Sequence, residues 1–425
     1  MKTIQINHIA KTEGHSSFVG ALLEGDFSQA RLETQEGIRL LECVLLNRQY
    51  FEAPIVTSRI CGICPIVHNL TSIKALEMAL NIKETPEIVL LRKLMLCGQW
   101  IHSHGLHAFF LSFPDLVGIN NNFALLKKYP KQAQLVLEIR DFGVKLAKII
   151  GGRTVHPINS VVGGFNTEPD LNDLQELFSL VDKTIEKALA LFNFVIKTKL
   201  PKFENPSDYV SLIDKKEYAF YDGSVHFFGS KKKIGASEFC LELEELILPA
   251  EKVKRVKHFG ESIFVGALSR LNNNYQLLQS MASEALAKLK IKMPCFNPFY
   301  NIFAQLIEIV HCLELAKELF EEYQTLQTKK GFAKNLKVAF VPNPGKGYAV
   351  IEAPRGILYH QYELDKAGNI LHANIITPTA IFLANLEKDL QEFLVQNKKL
   401  KEKQLKDLIK TLIRAYDPCI SCATH

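Results

Sequence analysis

The chain lacks several features that would place a protein quickly. No apolar run approaches the roughly eighteen residues a membrane span needs, and the first residues lack the layout of an export signal. There is no internal repeat and no low-complexity linker, so a string of separate modules is not expected. Charge imbalance is slight: 51 Lys+Arg against 45 Asp+Glu leave +6 over 425 residues. Lys231-Lys232-Lys233 and the stretch from Lys398 to Lys406 read as solvated faces, which excludes an obvious nucleic-acid groove. The composition, 47% hydrophobic, can bury a substantial core. Nine cysteines without an export signal suggest a reducing compartment, the cytoplasm, and metal or redox use.

Four of those cysteines form two Cys-x-x-Cys pairs at opposite ends of the chain. The first reads Arg59-Ile60-Cys61-Gly62-Ile63-Cys64-Pro65, with His68 following; the second reads Asp417-Pro418-Cys419-Ile420-Ser421-Cys422, with His425 following. Two intervening residues let both thiolates of a pair turn toward one ion, so two pairs can give four sulfurs to one centre. Zinc, iron–sulfur or another thiophilic transition metal all suit such a set. A lone pair would most simply be structural zinc. If both pairs serve one ion, the two ends of the chain meet at the core. A single domain over 1–425 is then expected, with 207–250 as a peripheral lobe.

Hydrophobic periodicity gives a mainly helical α+β chain. Residues 3 to 34 alternate as a β meander with a turn at Glu24-Gly25-Asp26. Helical spacing runs from Ile38 to Leu46 and from Val67 to Leu80, then over 86–111, 121–150, 171–198 and 299–328. Strands are expected at Val338 to Val341, Gly347 to Ala353 and Ile357 to Tyr362, followed by helices at 379–394 and 400–415.

The letters around the cysteines carry more than their spacing. R-x-C-G-x-C-x3-H near the start with D-P-C-x-x-C-x-x-H at the end resembles the large subunit of [NiFe] hydrogenases. Lys11-Thr12-Glu13-Gly14-His15 matches that family's x-x-E-G-H, and Arg39-Leu40-Leu41-Glu42 falls where it has R-G-x-E. His104, His107 and Phe113-Pro114-Asp115 match a helix-and-loop segment. Gly151-Gly152-Arg153 with His156-Pro157, Glu352-Ala353-Pro354-Arg355-Gly356 and Thr377-Pro378-Thr379 match later blocks. Leu40 departs from the pattern, standing where the family has Gly. Ser421 with Ala423-Thr424-His425 is similar to the cytoplasmic, cofactor-linked branches.

The resemblance implies a long helical core with peripheral β meanders and a buried metal site. It implies nickel on Cys61, Cys64, Cys419 and Cys422, with Cys64 and Cys422 bridging to an iron that carries CO and two cyanides. Arg355 and Thr379 become candidate donors to the cyanides. H2 is the implied substrate, cleaved heterolytically, with Cys419 taking the proton and Glu13 relaying it. Asp115 and Asp417 are expected beside Arg355 around the centre. Glu42 and His425 are the expected protein ligands of Mg²⁺, with water or a carbonyl completing its shell. Family precursors carry a tail after this histidine, so a chain ending at His425 reads as processed, as lacking the tail, or as cut there. His15, His68, His104 and His107 read as buried, satisfied histidines, and Thr379 could cap the helix after it.

Cys43, Cys97, Cys240, Cys295 and Cys312 have no cluster spacing, so the chain offers no onward electron acceptor. An iron–sulfur small subunit is therefore implied, with further flavin and iron–sulfur subunits passing electrons to NAD(P), ferredoxin or a deazaflavin. Two rivals are a quinone-site subunit of the complex I type, which lacks the four cysteines, and a zinc-stapled protein without enzymatic activity.

Overall fold

The computed structural model describes residues 2–23, 26–247, 251–328 and 336–425. It is an α+β fold, mainly helical, built around a layer of long helices. Pro86–Gly105 packs against both Pro130–Gly151 and Asn301–Thr328, and Val181–Val195 closes the layer. Gly98 and Gly143 face each other where the first two cross; a Cβ on Gly143 would stand 2.5 Å from the Gly98 carbonyl. The stretch Pro298–Thr328 is, among the described residues, the one helix long and apolar enough to cross a membrane, with mean hydropathy 1.2. That corrects the expectation of no such run. Yet 83% of its apolar window is buried inside the protein, as suits a core helix.

Three larger sheets and a two-stranded one, Ser160–Val161 with Gly164–Phe165, accompany the helices among the described residues. Strands Lys2–Ile6, Ser16–Leu23 and Asp26–Thr34 form the expected antiparallel meander; Glu24 and Gly25 of its turn lie outside the described residues. Strands Gly345–Ala353, Gly356–Leu364 and Ile370–Ile376 form a second meander, and helix Pro65–Ala79 lies across it. Segment 207–250 supplies four strands of a six-stranded sheet whose remaining two come from 255–264. Asp208–Ile213 and Glu261–Phe264 run parallel at its centre, and the other neighbours are antiparallel.

Local chemistry explains where the pattern reading slipped. The run expected over 121–150 breaks into Asn122–Lys128 and Pro130–Gly151, because Tyr129 precedes a proline and leaves the helical region (φ −128°, ψ 55°). The run over 171–198 divides into Leu171–Phe178 and Val181–Val195. Residues 338–341 form no strand; the Val338 amide donates to the Gly163 carbonyl at 2.7 Å instead.

The helix expected from Ile38 shrinks to Leu41–Leu45, since Leu40 sits in the left-handed region (φ 51°, ψ 40°) with its side chain 57% exposed. The departure noted in the sequence thus has a physical reading. The backbone wants glycine there, and leucine accepts strain without gaining burial. Relief of the left-handed strain exceeds glycine's extra unfolded-state entropy, so Leu40→Gly is expected to stabilise the fold by about 0.5–1 kcal/mol. Thermal unfolding checks this; an unchanged or lower midpoint contradicts it.

Candidate metal centre

The first cysteine pair stands at the start of helix Pro65–Ala79. Cys61 is extended (φ −143°, ψ 141°), and Pro65 opens the helix with φ already set. The first-turn amides of Ile66 and Val67 donate to Gln99 Oε1 at 2.7 and 3.4 Å. The second pair follows helix Glu402–Ala415 through a left-handed turn at Asp417 (φ 53°), a conformation Asp tolerates. Arg39 ties both ends together. Its guanidinium donates to the carbonyls of Ile60, at 2.8 Å, and Ser421, while its amide donates to the Thr424 carbonyl at 3.0 Å.

Thus placed, the four buried sulfurs lie within 4.8 Å of one another. Cys61 and Cys419 are 3.5 Å apart at Sγ, and Cys64 and Cys422 3.4 Å. Four buried thiols this close together cannot all ionise unaided. Hydrogen bonds from Cys419, Cys422 and Cys64 hold Cys61 well below the usual thiol range, whereas burial pushes Cys419 and Cys422 well above it. A soft multiply charged centre would release every proton at once, and the donor set fits one.

Around the cage the expected residues arrive unevenly. Glu13 Oε2 accepts from Cys419 Sγ at 2.9 Å and from the Ser421 amide at 3.2 Å, and Oε1 accepts from the Ser421 hydroxyl. Its own carbonyl accepts from the Ile420 amide at 2.8 Å. Gly14 makes this approach possible: at φ +79°, a Cβ there would stand 2.9 Å from the Ser421 nitrogen. Thr379 lies inside helix Pro378–Gln396, whose N-cap is Thr377, so it is not the cap; its hydroxyl accepts from the Cys419 amide at 3.0 Å.

Arg355 is buried and grips Asp417, with Nε 2.9 Å from the carbonyl and 3.1 Å from Oδ1, and Nη2 3.1 Å from Oδ1. Burial opposes its charge, but Asp417 and the neighbouring sulfurs outweigh burial and hold its pKa well above the ordinary value. Its Nη1 is buried without a partner, a donor left over for an acceptor such as cyanide. Asp115 departs from the expected trio: it pairs with Lys11 and Arg414 at the base of a surface cleft rather than with Arg355.

Behind the cage, Glu42 Oε1 accepts from the Ile375 amide at 2.9 Å and Lys254 Nζ at 3.3 Å, and lies 3.9 Å from His425 Nε2. His425 is buried, and burial lowers its pKa, keeping the ring neutral. Yet both nitrogens face carbonyls, Nδ1 that of Cys422 at 2.6 Å and Nε2 that of Ile375 at 2.9 Å. A neutral imidazole has one N–H, so one lone pair meets a carbonyl oxygen. A hard cation shared by that nitrogen, the carbonyl and Glu42 would resolve the conflict, and these donors fit Mg²⁺.

Of the histidines read as satisfied, His15 is exposed, and His68, pushed down to about 3 by burial, leaves Nδ1 without a partner. Sequence reasoning missed Ser421, Gln99, Gln305 and Lys254. Each acts through a contact distant in the chain, and no local motif announces such a contact.

A family profile described as nickel-dependent hydrogenase matches residues 39–136 and 253–425. The alpha subunit of sulfhydrogenase 2 from Pyrococcus furiosus is 30% identical, covering 99% of this chain and 98% of its own length. The beta subunit of the NAD-reducing hydrogenase HoxS from Cupriavidus necator is 30% identical over 100% of this chain and 95% of its own. A crystal structure of an NAD⁺-reducing [NiFe]-hydrogenase in the H2-reduced state superposes with TM-score 0.90 at 26% identity, covering all of both chains. The four-sulfur cage and these likenesses agree: the chain belongs to the nickel-dependent hydrogenase family and is the catalytic subunit of an oxidoreductase acting on H2.

Proposed function

We propose that this subunit cleaves H2 heterolytically at a Ni–Fe centre on Cys61, Cys64, Cys419 and Cys422, and sends the proton out through Glu13. The observation that carries the reading is the 2.9 Å contact between Cys419 Sγ and Glu13 Oε2 at the edge of the sulfur cage. When bound, the nickel and its Fe(CO)(CN)2 partner polarise H2 and accept its electron pair. The chain supplies everything else. Cys61, Cys64, Cys419 and Cys422 would hold the two metals, and the family resemblance, not the near-equal sulfur separations of 3.5 and 3.4 Å, assigns Cys64 and Cys422 to both of them. Cys419 Sγ holds the proton and passes it to Glu13 Oε2. The Ser421 amide and hydroxyl keep that carboxylate aimed at the sulfur. Arg355 Nη1 and the Thr379 hydroxyl proton would be available as donors to the cyanides, and Asp417 fixes the guanidinium. Asp115 acts at a remove, through Lys11 and Arg414. Glu42, His425 and the Ile375 carbonyl would hold a Mg²⁺ ion, which would tie the chain end behind the cage.

The electrons leave through an iron–sulfur small subunit. Ile38, Leu40, Val44, Phe51 and Ile55 stay 42–57% exposed in the segment that leads into the first cysteine pair. Such a run of large apolar side chains favours an obligate interface. The relatives are named as alpha, beta or A subunits of multi-subunit hydrogenases, including one that reduces NAD and others described as F420-non-reducing. Further flavin and iron–sulfur subunits, and NAD(P) or ferredoxin as final acceptor in the cytoplasm, extend that reading to this chain. Since the cage draws on both ends, we take residues 1–425 as one cooperative unit.

The metal assignment is tested by Cys419→Ser, where a hard oxygen replaces a soft thiolate. Loss of stoichiometric nickel and iron by elemental analysis is expected; full metal content with normal activity would overturn the ligand set. Infrared bands of iron-bound CO and cyanide in the wild-type enzyme test the iron's diatomics.

Glu13→Gln separates proton movement from assembly. The amide keeps shape and hydrogen-bonding reach but cannot take up and release a proton near neutral pH. Metal content and infrared bands stay, while H2 uptake and H/D exchange with water fall by about two orders of magnitude or more. Wild-type exchange in this variant would send the search for the relay elsewhere.

Arg355→Lys retains the charge but loses the planar fork that holds Asp417 with one edge and leaves Nη1 for the centre. Metals are expected to remain and kcat to drop by about a hundredfold, as for a lost preorganised donor. Unchanged kcat and unshifted cyanide bands would mark the arginine as structural.

A further inference from the structure

Behind the cage, a lysine shares the carboxylate assigned to the divalent ion. Lys254 stands just before strand Arg255–His258 and reaches across to helix Leu41–Leu45, where its Nζ lies 3.3 Å from Glu42 Oε1. The same ammonium lies 2.9 Å from Glu245 Oε2, on the neighbouring strand Leu243–Leu246. Glu42 Oε1 has another donor, the Ile375 amide at 2.9 Å, and that amide is fixed in strand Ile370–Ile376. A carboxylate oxygen offers two lone pairs, and these two donors take both. His425 Nε2 approaches that same oxygen to 3.9 Å, so a cation held between them must win a lone pair back. The amide is tied to its strand, but a lysine carries its charge on a flexible four-carbon stem. Glu245 is the place to which that charge can go. Its Oε1 accepts from Asn374 Nδ2 at 3.1 Å, which leaves Oε2 turned to the lysine.

We propose that Lys254 is a built-in competitor of the divalent ion at Glu42. Its ammonium neutralises that carboxylate when the ion is away and withdraws to Glu245 when the ion binds. The inference rests on the reading above that places the ion on Glu42 and His425, and it adds that the ion is exchangeable. Either cation offsets Glu42, so the chain end behind the cage keeps its charge balance in both states. The same two carboxylates without the lysine would hold a divalent ion more tightly and release it less readily. The side chains of Lys254, Glu42 and Glu245 are 24%, 20% and 25% exposed, so exchange needs only a side-chain swing.

Calorimetric titration of Mg²⁺ into holoenzyme dialysed against EDTA, with nickel and iron content checked, tests this. Lys254→Met keeps the apolar stem without the charge and is expected to lower the Kd for Mg²⁺ by about tenfold or more. Lys254→Gln, still able to bond both carboxylates, is expected to do the same and covers the case in which methionine disturbs the packing. Mg²⁺ is also expected to raise the Tm of either variant further than that of the wild type, since the variants start with no cation beside Glu42. Unchanged or weaker Mg²⁺ binding in a folded lysine variant overturns the competition. Glu42→Gln run alongside separates the two readings. If it binds Mg²⁺ as the wild type does, the ion's placement has failed. If it loses the ion while the lysine variants gain nothing, the placement stands and the competition has failed. Absence of Mg²⁺ binding in the wild type and the lysine variants alike overturns both.

Discussion

Four thiols brought into one buried pocket are the constraint on which the rest of the structure depends. Left to themselves they compete for protons, one held low by its neighbours and two driven high by burial. Only a cation that takes all four sulfurs removes the competition. The sulfurs come from the two ends of the chain, so satisfying the pocket means closing the whole polypeptide. Arg39 shows how directly that closure is built, since one side chain and its own amide bind the turn before Cys61 and the C-terminal segment at once.

Supports for this arrangement sit deeper in the helical layer. Arg270, wholly buried, bonds Glu308 at 2.7 and 2.8 Å and Glu352 at 2.9 Å, and donates to the carbonyls of Ala353 and Pro354 just before Arg355. Burial opposes ionisation of Glu308, but Arg270 and His104 hold it down to about 2. Burial pushes Glu352 up to about 7 despite the same arginine. Removing one member would strand a buried charge, the costly way to break such a network. The E-A-P-R-G run therefore divides its labour: Glu352 anchors the strand inside, and Arg355 faces the cage.

Much of this was legible in the residues. The two cysteine pairs, Glu13, Arg355, Glu42 and His425 stand out because their motifs are local and their chemistry is narrow, and the structure gathers each of them at or just behind the cage. The strands from Gly345 to Ile376 and the long core helices follow from periodicity that burial enforces. What stayed hidden depends on distant partners. Ser421 is an ordinary residue between two cysteines until the chain folds Glu13 against it. Asp115 reads as a companion of Arg355 until Lys11 and Arg414, one from each end, claim it. Leu40 stood out as a departure from the family's Gly, but its left-handed backbone (φ 51°) could not be read, because sequence letters carry no φ angle.

The polar groups around the cage are segregated by task. Glu13 touches the cage from the N-terminal loop, half-exposed, where a carboxyl can exchange protons with a mobile partner. On the Arg355 side, Asp417, Gln305 and His107 form a run of hydrogen bonds that is buried throughout. A group that must pass protons needs freedom to change state, whereas a group that fixes a field must not change during the reaction. Burial enforces the second condition and partial exposure permits the first. The depth of each residue is thus as informative about its task as its chemical type. That criterion supports the proton exit proposed for Glu13, and it suits the buried Arg355–Asp417 pair to the fixed donor role proposed for it.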